Sequence, residues 1–576
     1  MFKSETKHLA TKLAVIKLIC NIILLSLVSI FVLIQLILLL FYVNKVNASV
    51  VINRIDYLLI FIFIILCFNL MFSGISRRTI RNKYIKETLR IVHQAKIPKK
   101  LPKVVYVYTV HNDFMPARLL QNMKQTYKNF EVWISDGSDN TEIIREVNNF
   151  AQKHKIRLYR LGGKGSISKS DNLNHFLQYS GAHFDYLMIG DADEIFDKYF
   201  VECNIRFFYS DKFEKLAFVS PLNQCYKTQG LYTNIMRNID NITMFNRDLI
   251  KSVQLRDYSN LYSASCLISS KFIQSMNGKF PDSVLEDYYS ENIAVMNGWI
   301  GIVSGLTVCT QAYDVTIKAH YARVMRILDW IIKLRKHDPF KDYNEKYSRW
   351  FMRSFVLIIL PLLLMIGFIA LTVTIWLIVI NWTILINDTF FICTICIGIG
   401  FIIISSLIAN YDTSKIIKFS NGILLFIFTI LYSLSFISYM CKHWILTICF
   451  NKYSNFLTGT QKRFLKNKLS SVFKKILPDI LMLLLFGFFL FVFNWLFYEF
   501  LFPLTNLSLV FFILGNLILG IFTLSLFSTI VLYMFSLIKI NRYDPNKPIY
   551  FKNNYVASTE IKDKFYSQHS DLKRIC

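Results

Sequence analysis

The chain has 576 residues, of which 54% are hydrophobic and 16% aromatic, and its formal net charge is +27. Such an excess of Lys and Arg could indicate a protein that binds nucleic acid. These residues cluster beside long apolar segments, where they anchor helices and contact anionic lipid, so we predict a membrane protein with no nucleic-acid partner. The 11 cysteines are scattered and avoid the predicted external loops, which excludes a disulfide framework.

Two apolar runs, 18–43 and 57–72, predict two transmembrane helices within residues 1–76. The first run is too long for a cleaved signal peptide and lacks a small-residue cleavage site, so it is interpreted as a retained helix. Lys and Arg crowd the segment behind the second helix, whereas the short loop between the helices is poor in them. The positive-inside rule therefore predicts that the next domain, 77–320, is cytoplasmic.

Apolar runs resume in the C-terminal half, at 355–380, 390–407, 423–440, 476–496 and 507–535. A single crossing by the third run would put the basic loop behind it outside, so this run is predicted to lie along the cytoplasmic interface or to enter the membrane and return to the same side. Six crossings are expected, with seven as the alternative. The predicted segments are interfacial helices at 321–354, two transmembrane helices at 355–410, an interfacial segment with a gating-like loop at 411–475, two transmembrane helices at 476–538 and a basic cytoplasmic tail at 539–576.

The central domain alternates strand and helix patterns. Residues 104–110 and 130–134 are typical of short strands that end in polar turns, and 118–125 is typical of the helix between them. This alternation indicates an α/β domain with a parallel-rich sheet. Ligands bind at the carboxyl ends of the strands in such sheets, so the turns after these strands are candidate sites.

Polar motifs follow the predicted strands. They are Tyr108-Thr109-Val110-His111-Asn112-Asp113, Trp133-Ile134-Ser135-Asp136-Gly137-Ser138-Asp139 and, after a buried run, Gly190-Asp191-Ala192-Asp193. Further blocks lie at 263–268, 276–281 and 284–288. Together these motifs resemble glycosyltransferase family 2. The resemblance implies a GT-A fold, a parallel-rich mixed sheet with flanking helices, next to an α-helical transmembrane bundle.

The resemblance assigns Val110, His111 and Asp136 to the uridine of a UDP-sugar. For Asp136 the alternative is ordinary turn chemistry, which an Asp-Gly-Ser sequence favours. The glycines and lysine of 162–165 let the backbone approach a ligand and offer positive charge to phosphate. Lys169, which matches the family's lysine before a helix, is implied to contact the diphosphate; a flexible basic loop is the alternative.

Asp191 and Asp193 follow the buried run at 186–189. Two carboxylates two positions apart along a strand point the same way, and hard divalent cations prefer such oxygen ligands. The pair resembles the Asp-x-Asp motif of the family. We therefore expect both residues to hold Mn²⁺ or Mg²⁺ and Asp191 to contact the nucleotide-sugar. A bound cation would stabilise the negative charge on the departing diphosphate.

Glu286 and Asp287 resemble the Glu-Asp pair of the family, which implies that Asp287 is the catalytic base and that Glu286 lies near the acceptor. The reaction needs such a base, because the acceptor hydroxyl loses its proton as it attacks the anomeric carbon. No covalent intermediate is needed, so inversion is expected. The alternative is an acidic helix N-terminus, which Glu and Asp also favour.

Two later motifs resemble those of processive family members. Arg323 and Arg326 fall on one helical face and are implied to contact the diphosphate, with lipid-facing charge as the alternative. Trp330 lies one turn later and is a candidate acceptor residue. Residues 456–463, which include Thr460 and Arg463, resemble the Trp-x-Thr-x-Arg gating segment of hyaluronan-type synthases, with Phe456 in the place of the tryptophan.

We therefore expect a hexosyltransferase similar to hyaluronan, cellulose and chitin synthases. It would elongate a capsule polysaccharide or exopolysaccharide at the cytoplasmic face of the plasma membrane and pass it out through its own helices. Its partners would be a UDP-sugar, the growing glycan and membrane lipid. A non-processive transferase that makes a glycolipid is the alternative. A transporter with a regulatory domain is disfavoured because no membrane segment is rich in paired ionisable residues. The sugar, the linkage and the oligomeric state stay open.

Overall fold

The computed structural model describes residues 83–161, 169–225, 265–281, 286–311 and 469–496, with short helical pieces within 12–16, 79–80, 320–321 and 523–534. The strands are β1 (Val104–Val110), β2 (Phe130–Asp136), β3 (Arg157–Arg160), β4 (Tyr186–Gly190), β5 (Ile195–Phe196), β6 (Leu216–Cys225), β7 (Cys266–Ser269) and β8 (Ile300–Gln311). The helices are α1 (83–94), α2 (Pro116–Asn122), α3 (Thr141–His154), α4 (Lys169–Tyr179), α5 (Phe200–Phe208), α6 (Ser270–Ser275), α7 (Glu286–Met296) and α8 (Leu469–Leu496).

Within the described residues, eight strands form one sheet in the order β3-β2-β1-β4-β7-β6-β8-β5. The first four strands are parallel to one another. β7 is antiparallel to β4 and to β6, β8 is parallel to β6, and β5 is antiparallel to β8. The expected parallel-rich mixed α/β sheet is therefore confirmed, with the parallel strands at the N-terminal side of the domain.

The central strands are buried on both faces, which explains their nearly continuous apolar sequences. All seven residues of β1 are buried. Tyr106 and Tyr108 face one apolar cluster together with Leu119 of α2, whereas Val105 and Val107 face a second cluster with Phe176 of α4. The alternation of strand side chains thus divides the core into two layers, one on each face of the sheet.

Two predicted boundaries are wrong by a few residues. The helix expected at 118–125 is α2, which begins at Pro116, where a proline fits the first helical turn because its missing N–H has no partner there. The strand expected at 130–134 continues to Asp136. It runs further because its last residues pair with β1 on one side and β3 on the other.

Most of the predicted membrane segments, 18–43, 57–72, 355–380, 390–407 and 423–440, lie outside the described residues. Run 476–496 lies within α8, so a helix is present there, and 507–535 is described only in short pieces. In the part of the chain that the structure describes, we find no helix long and apolar enough to cross a membrane. The domain boundaries and the number of crossings stay predictions.

Candidate active site

Three strand ends of the parallel half meet at one edge of the sheet. β1 and β2 are in register, so Val110 lies opposite Asp136, and Gly190 at the end of β4 lies opposite Tyr108. Asp191 follows Gly190 directly. The structure therefore brings three predicted site residues to the carboxyl ends of neighbouring strands, which is where open α/β sheets bind ligands.

The turns after β1 and β2 are joined by side-chain hydrogen bonds. The backbone N–H of Asn112 donates to Ser138 Oγ at 2.9 Å, and its side-chain oxygen accepts from the Asp139 N–H at 3.2 Å. Asn112 has φ 59°, a left-handed conformation that Asn tolerates better than most residues. His111 is half-buried in the same turn, with Nδ1 3.0 Å from the carbonyl oxygen of Gly137. His111 thus lies in a turn that is hydrogen-bonded to the turn after β2.

Asp136 ends β2 with a fully buried side chain. One carboxylate oxygen accepts from Arg160 Nη2 at 2.7 Å, and the other accepts from the Ser138 N–H at 3.0 Å. The second bond is the turn chemistry that the sequence offered as the alternative role. Arg160, the last residue of β3, also donates to Asn148 Oδ1 at 3.1 Å. Arg160 is not among the predicted site residues, although a cation at the end of the next parallel strand was a usable signal.

Asn172 of α4 is a second residue missing from the prediction, and it joins both strand ends. Its Oδ1 accepts from Ser135 Oγ at 2.6 Å, and its Nδ2 donates to the carbonyl oxygens of Ser135 at 3.1 Å and Val110 at 3.4 Å. Asn174 binds both backbone groups of Phe280, at 3.0 and 2.7 Å. α4 therefore connects the predicted nucleotide side of the site with Phe280 in the block 276–281.

Lys169, the first residue of α4, forms an ion pair with Asp191. Its Nζ donates to Asp191 Oδ1, and the two side chains are 21% and 37% exposed. Burial alone lowers the pKa of Lys169, but the charges of Asp191, Glu286 and Glu194 raise this pKa above its ordinary value. The Lys169 ammonium is therefore paired with Asp191 and also influenced by the charges of Glu286 and Glu194.

Asp191 and Asp193 lie in a turn between β4 and β5, not on a continued strand. Strand alternation therefore does not apply to these two residues; Asp191 is partly exposed, whereas Asp193 is 2% exposed. In the described residues, no group of three or more His, Cys, Asp or Glu could hold a metal ion on its own. Asp191 suits a divalent cation that takes its other ligands from phosphate and water.

Glu194 is a third carboxylate at this turn, and the prediction missed it. It is fully buried, accepts from the Asp191 N–H at 2.7 Å through Oε2, and accepts from Ser265 Oγ through Oε1. Burial and the charge of Asp191 raise the pKa of Glu194 to about 8. Its backbone carbonyl accepts from Asn122 Nδ2 at 2.9 Å. Glu194 thus fixes the backbone of Asp191 and ties the turn to the start of β7.

Glu286 and Asp287 begin α7, and both are partly buried. Burial and the neighbouring Asp287 charge raise the pKa of Glu286 to about 8, with Asp191 adding to the rise and Lys169 opposing it. Burial raises the pKa of the Cys266 thiol, and Asp287 contributes to that rise. The charges of Lys169 and Asp191 therefore act on the predicted Glu286-Asp287 pair. The helix N-terminus that the sequence offered as the alternative role is also present.

The remaining predicted site residues lie outside the described residues. They are Arg323, Arg326, Trp330, Thr460 and Arg463, together with the glycine and lysine segment 162–165. Their assignments stay predictions.

Residues 104–253 match the family described as Glycosyl transferase family 2. The match contains every predicted nucleotide and metal residue from Val110 to Asp193, and it ends before Glu286 and Asp287. The chain therefore contains a glycosyl transferase family 2 domain, and the protein is an enzyme of the hexosyltransferase class. No curated protein matches the chain significantly.

Solved structures of glycosyltransferases are similar to part of the chain. A mannosyltransferase from Pyrobaculum calidifontis, PcManGT, in complex with GDP-Man and Mn²⁺, is 14% identical, with 62% of this chain and 96% of that chain covered and a TM-score of 0.37. Residues 1–349 of S. aureus TarS with UDP-GlcNAc are 15% identical, with 40% and 66% covered and a TM-score of 0.26. GalNAc-T7 with UDP, GalNAc and Mn²⁺ is 12% identical, with 38% and 45% covered and a TM-score of 0.29. TM-scores this low do not by themselves establish a shared fold.

Proposed function

We propose that the protein is an inverting, metal-dependent glycosyltransferase that uses a UDP-sugar. The observation that carries this proposal is one arrangement within the family 2 domain. The ion pair of Lys169 and Asp191 lies at the carboxyl ends of the parallel strands, beside the turns of Val110 and Asp136 and in electrostatic contact with Glu286. A diphosphate donor needs cationic and metal-ligating groups at such an edge, and an acceptor hydroxyl needs a nearby base.

The nucleotide would bind across the joined turns after β1 and β2. Val110 and His111 would line this position, next to Asp136, which is held by Arg160 and Ser138. Because both oxygens of Asp136 already have partners, its carboxylate is fixed in place before a base arrives, and preorganised polar groups lose less entropy on binding. We assign the nucleoside to these residues.

The diphosphate would lie between Lys169 and Asp191. Asp191 would hold Mn²⁺ or Mg²⁺ together with phosphate oxygens, and Asp193 would support the turn from its buried position. The chemistry that a bound cation supplies is neutralisation of the charge on the departing nucleoside diphosphate. Lys169 contributes a further positive charge to the same oxygens.

Asp287 would act as the base. In the transfer, the acceptor oxygen forms a bond with the anomeric carbon while the bond from that carbon to the diphosphate oxygen breaks, and the acceptor proton moves to the Asp287 carboxylate. A single displacement of this kind inverts the anomeric configuration. Glu286, whose raised pKa keeps it largely protonated at neutral pH, would be free to donate a hydrogen bond to the sugar or acceptor.

For the whole chain, we propose a multi-pass protein of the plasma membrane that polymerises a glycan at its cytoplasmic face and translocates it. The apolar runs on both sides of the domain support this proposal. Arg323, Arg326 and Trp330 would follow the catalytic domain at the interface, with Thr460 and Arg463 in a gating loop. A simple transferase needs only one anchor, so several apolar runs favour a synthase that exports its product.

The test is to incubate the detergent-purified full chain with a panel of radiolabelled UDP-sugars and Mn²⁺ or Mg²⁺, beside Asp287→Asn, and to size the products. High-mass labelled material from one donor, absent with Asp287→Asn, would support a polymerising synthase and name its sugar. Label confined to small or lipid-extractable product would replace polymerisation with the glycolipid alternative. No metal-dependent turnover of any donor would overturn the proposal.

A further inference from the structure

Lys169 already contacts the carboxylate that the proposed function assigns to the metal. Its Nζ donates to Asp191 Oδ1, and both groups are partly shielded from solvent. A divalent cation on Asp191 would come close to this ammonium, and like charges repel strongly in a partly buried site. The contact seen in the structure and metal binding by Asp191 are therefore in competition.

The site needs a cation even without a metal. Lys169 interacts electrostatically with Asp191, Glu286 and Glu194, and Asp287 is the next residue after Glu286. A partly shielded carboxylate such as Asp191 is stabilised in its charged form by an adjacent opposite charge, which Lys169 supplies here. Within the described residues, Lys169 is the cation that the structure places on Asp191.

We propose that Lys169 is the resident cation of the donor site: it neutralises Asp191 while no metal is bound, and it moves to the diphosphate when the metal and nucleotide arrive together. This inference rests on the proposed function. A lysine suits the exchange, because its ammonium is a point charge on a flexible four-carbon stem and can change partners without a backbone movement. Lys169 is the first residue of α4, so its side chain would change partners at the end of the helix.

The exchange couples the binding of metal and nucleotide. Metal alone must displace Lys169 with no compensating anion, whereas metal with UDP gives the released ammonium a new partner. The wild-type protein should therefore bind Mn²⁺ weakly alone and more tightly with UDP, and by linkage Mn²⁺ should strengthen UDP binding by the same factor. A lysine that only braced the fold would give no such competition.

The experiment measures Mn²⁺ binding to the detergent-purified full chain from the EPR signal of free Mn²⁺, with and without UDP. We expect Lys169→Met to bind Mn²⁺ alone about tenfold more tightly than the wild type, because the competing charge is gone. In saturating Mn²⁺ the same variant should bind UDP about tenfold more weakly, because the phosphate contact is lost. Lys169→Arg should stay near the wild type, and Lys153→Met, an exposed lysine of α3, should match the wild type in both assays.

If Lys169→Met does not fold, Lys169→Gln keeps a hydrogen-bond donor without the charge and carries the same expectation. As an independent readout, Mn²⁺ should raise the melting temperature of Lys169→Gln more than that of the wild type. The inference is overturned if removing the charge leaves nucleotide-free Mn²⁺ affinity unchanged or weaker while UDP still tightens Mn²⁺ binding by the wild type. If the wild type binds no Mn²⁺ even with UDP, the proposed function itself is contradicted.

Discussion

Asp136 combines a folding role with its proposed contact to the nucleoside. Its side chain is fully buried and its partner Arg160 is 28% exposed, with 2.7 Å between Oδ2 and Nη2. Removing one member of a buried ion pair leaves the other charge without compensation, and this costs more than the pair itself contributes. A loss of activity after substitution of Asp136 could therefore come from weaker nucleotide binding or from a less stable domain.

We predict that Asp136→Asn lowers the free energy of unfolding by about 2 kcal/mol, less than for a fully buried pair because Arg160 is partly exposed. Denaturation of the full chain in detergent, followed by fluorescence, measures this change. Arg160→Met and the double variant complete the cycle. The double variant should lose less stability than the sum of the single losses; strictly additive losses would contradict the pairing.

The raised pKa of Glu286 predicts that the stability of the protein depends on pH. Its pKa is raised to about 8 in the folded protein, so the folded state holds a proton that the unfolded chain has already released at neutral pH. This contribution to stability is complete below the unfolded pKa and is lost as the pH rises through the folded pKa. Between about pH 7 and about pH 9, ionisation of Glu286 should lower the free energy of unfolding by about 1 kcal/mol.

Melting temperatures of the wild type and Glu286→Gln, measured across this pH range, test that expectation. Glutamine keeps the shape but cannot ionise, so the fall in melting temperature toward high pH should be smaller in the variant. Parallel curves for the two proteins would show that Glu286 does not titrate in this range.

At the scale of the elements, Gly190 allows β4 to end against β5. A methyl group at Gly190 would lie 2.6 Å from Phe196 Cε2 and 3.2 Å from the Tyr106 hydroxyl oxygen. Phe196 is buried and in contact with Tyr106 and Phe200, so its ring has little space to move. The turn that carries Asp191 begins one residue later.

Gly190→Ala should therefore destabilise the domain by about 2 kcal/mol through overpacking and weaken Mn²⁺ binding in the presence of UDP. Gly487→Ala in α8 is the matched control, because a methyl group there meets no atom within 4 Å. Thermal unfolding of both variants is the measurement. Equal melting temperatures for Gly190→Ala and the wild type would mean that the ring yields at no cost.

The parallel half of the sheet was predictable because β1, β2 and β4 are local apolar runs followed by polar turns. The order of β5 to β8 was not, since β8 pairs with β6 and β5 from distant parts of the sequence. The same limit applies to the site. The aspartates stand out locally, but Arg160 acts on a residue 24 positions away and Glu194 binds a hydroxyl 71 positions away. The register that brings them together is a property of the sheet.

At the scale of the whole molecule, the proposed topology makes the catalytic domain cytoplasmic. A cysteine introduced by Lys198→Cys, at an exposed position, should react with a membrane-impermeant maleimide only after the cells are opened. Asn387→Cys, in the predicted external loop 381–389, is the comparison and should react in intact cells. Reaction of the first cysteine in intact cells would reverse the proposed orientation.

The central claim is that the site built from Asp191, Lys169 and Asp287 transfers a sugar from UDP. The most direct measurement is UDP release by the purified full chain from each UDP-sugar, with and without Mn²⁺, for the wild type and Asp287→Asn. We predict metal-dependent release from at least one donor by the wild type, a rate lower by about 100-fold or more in Asp287→Asn, and similar UDP affinity in both proteins. Equal rates in the two proteins, or no release from any donor, would contradict the claim.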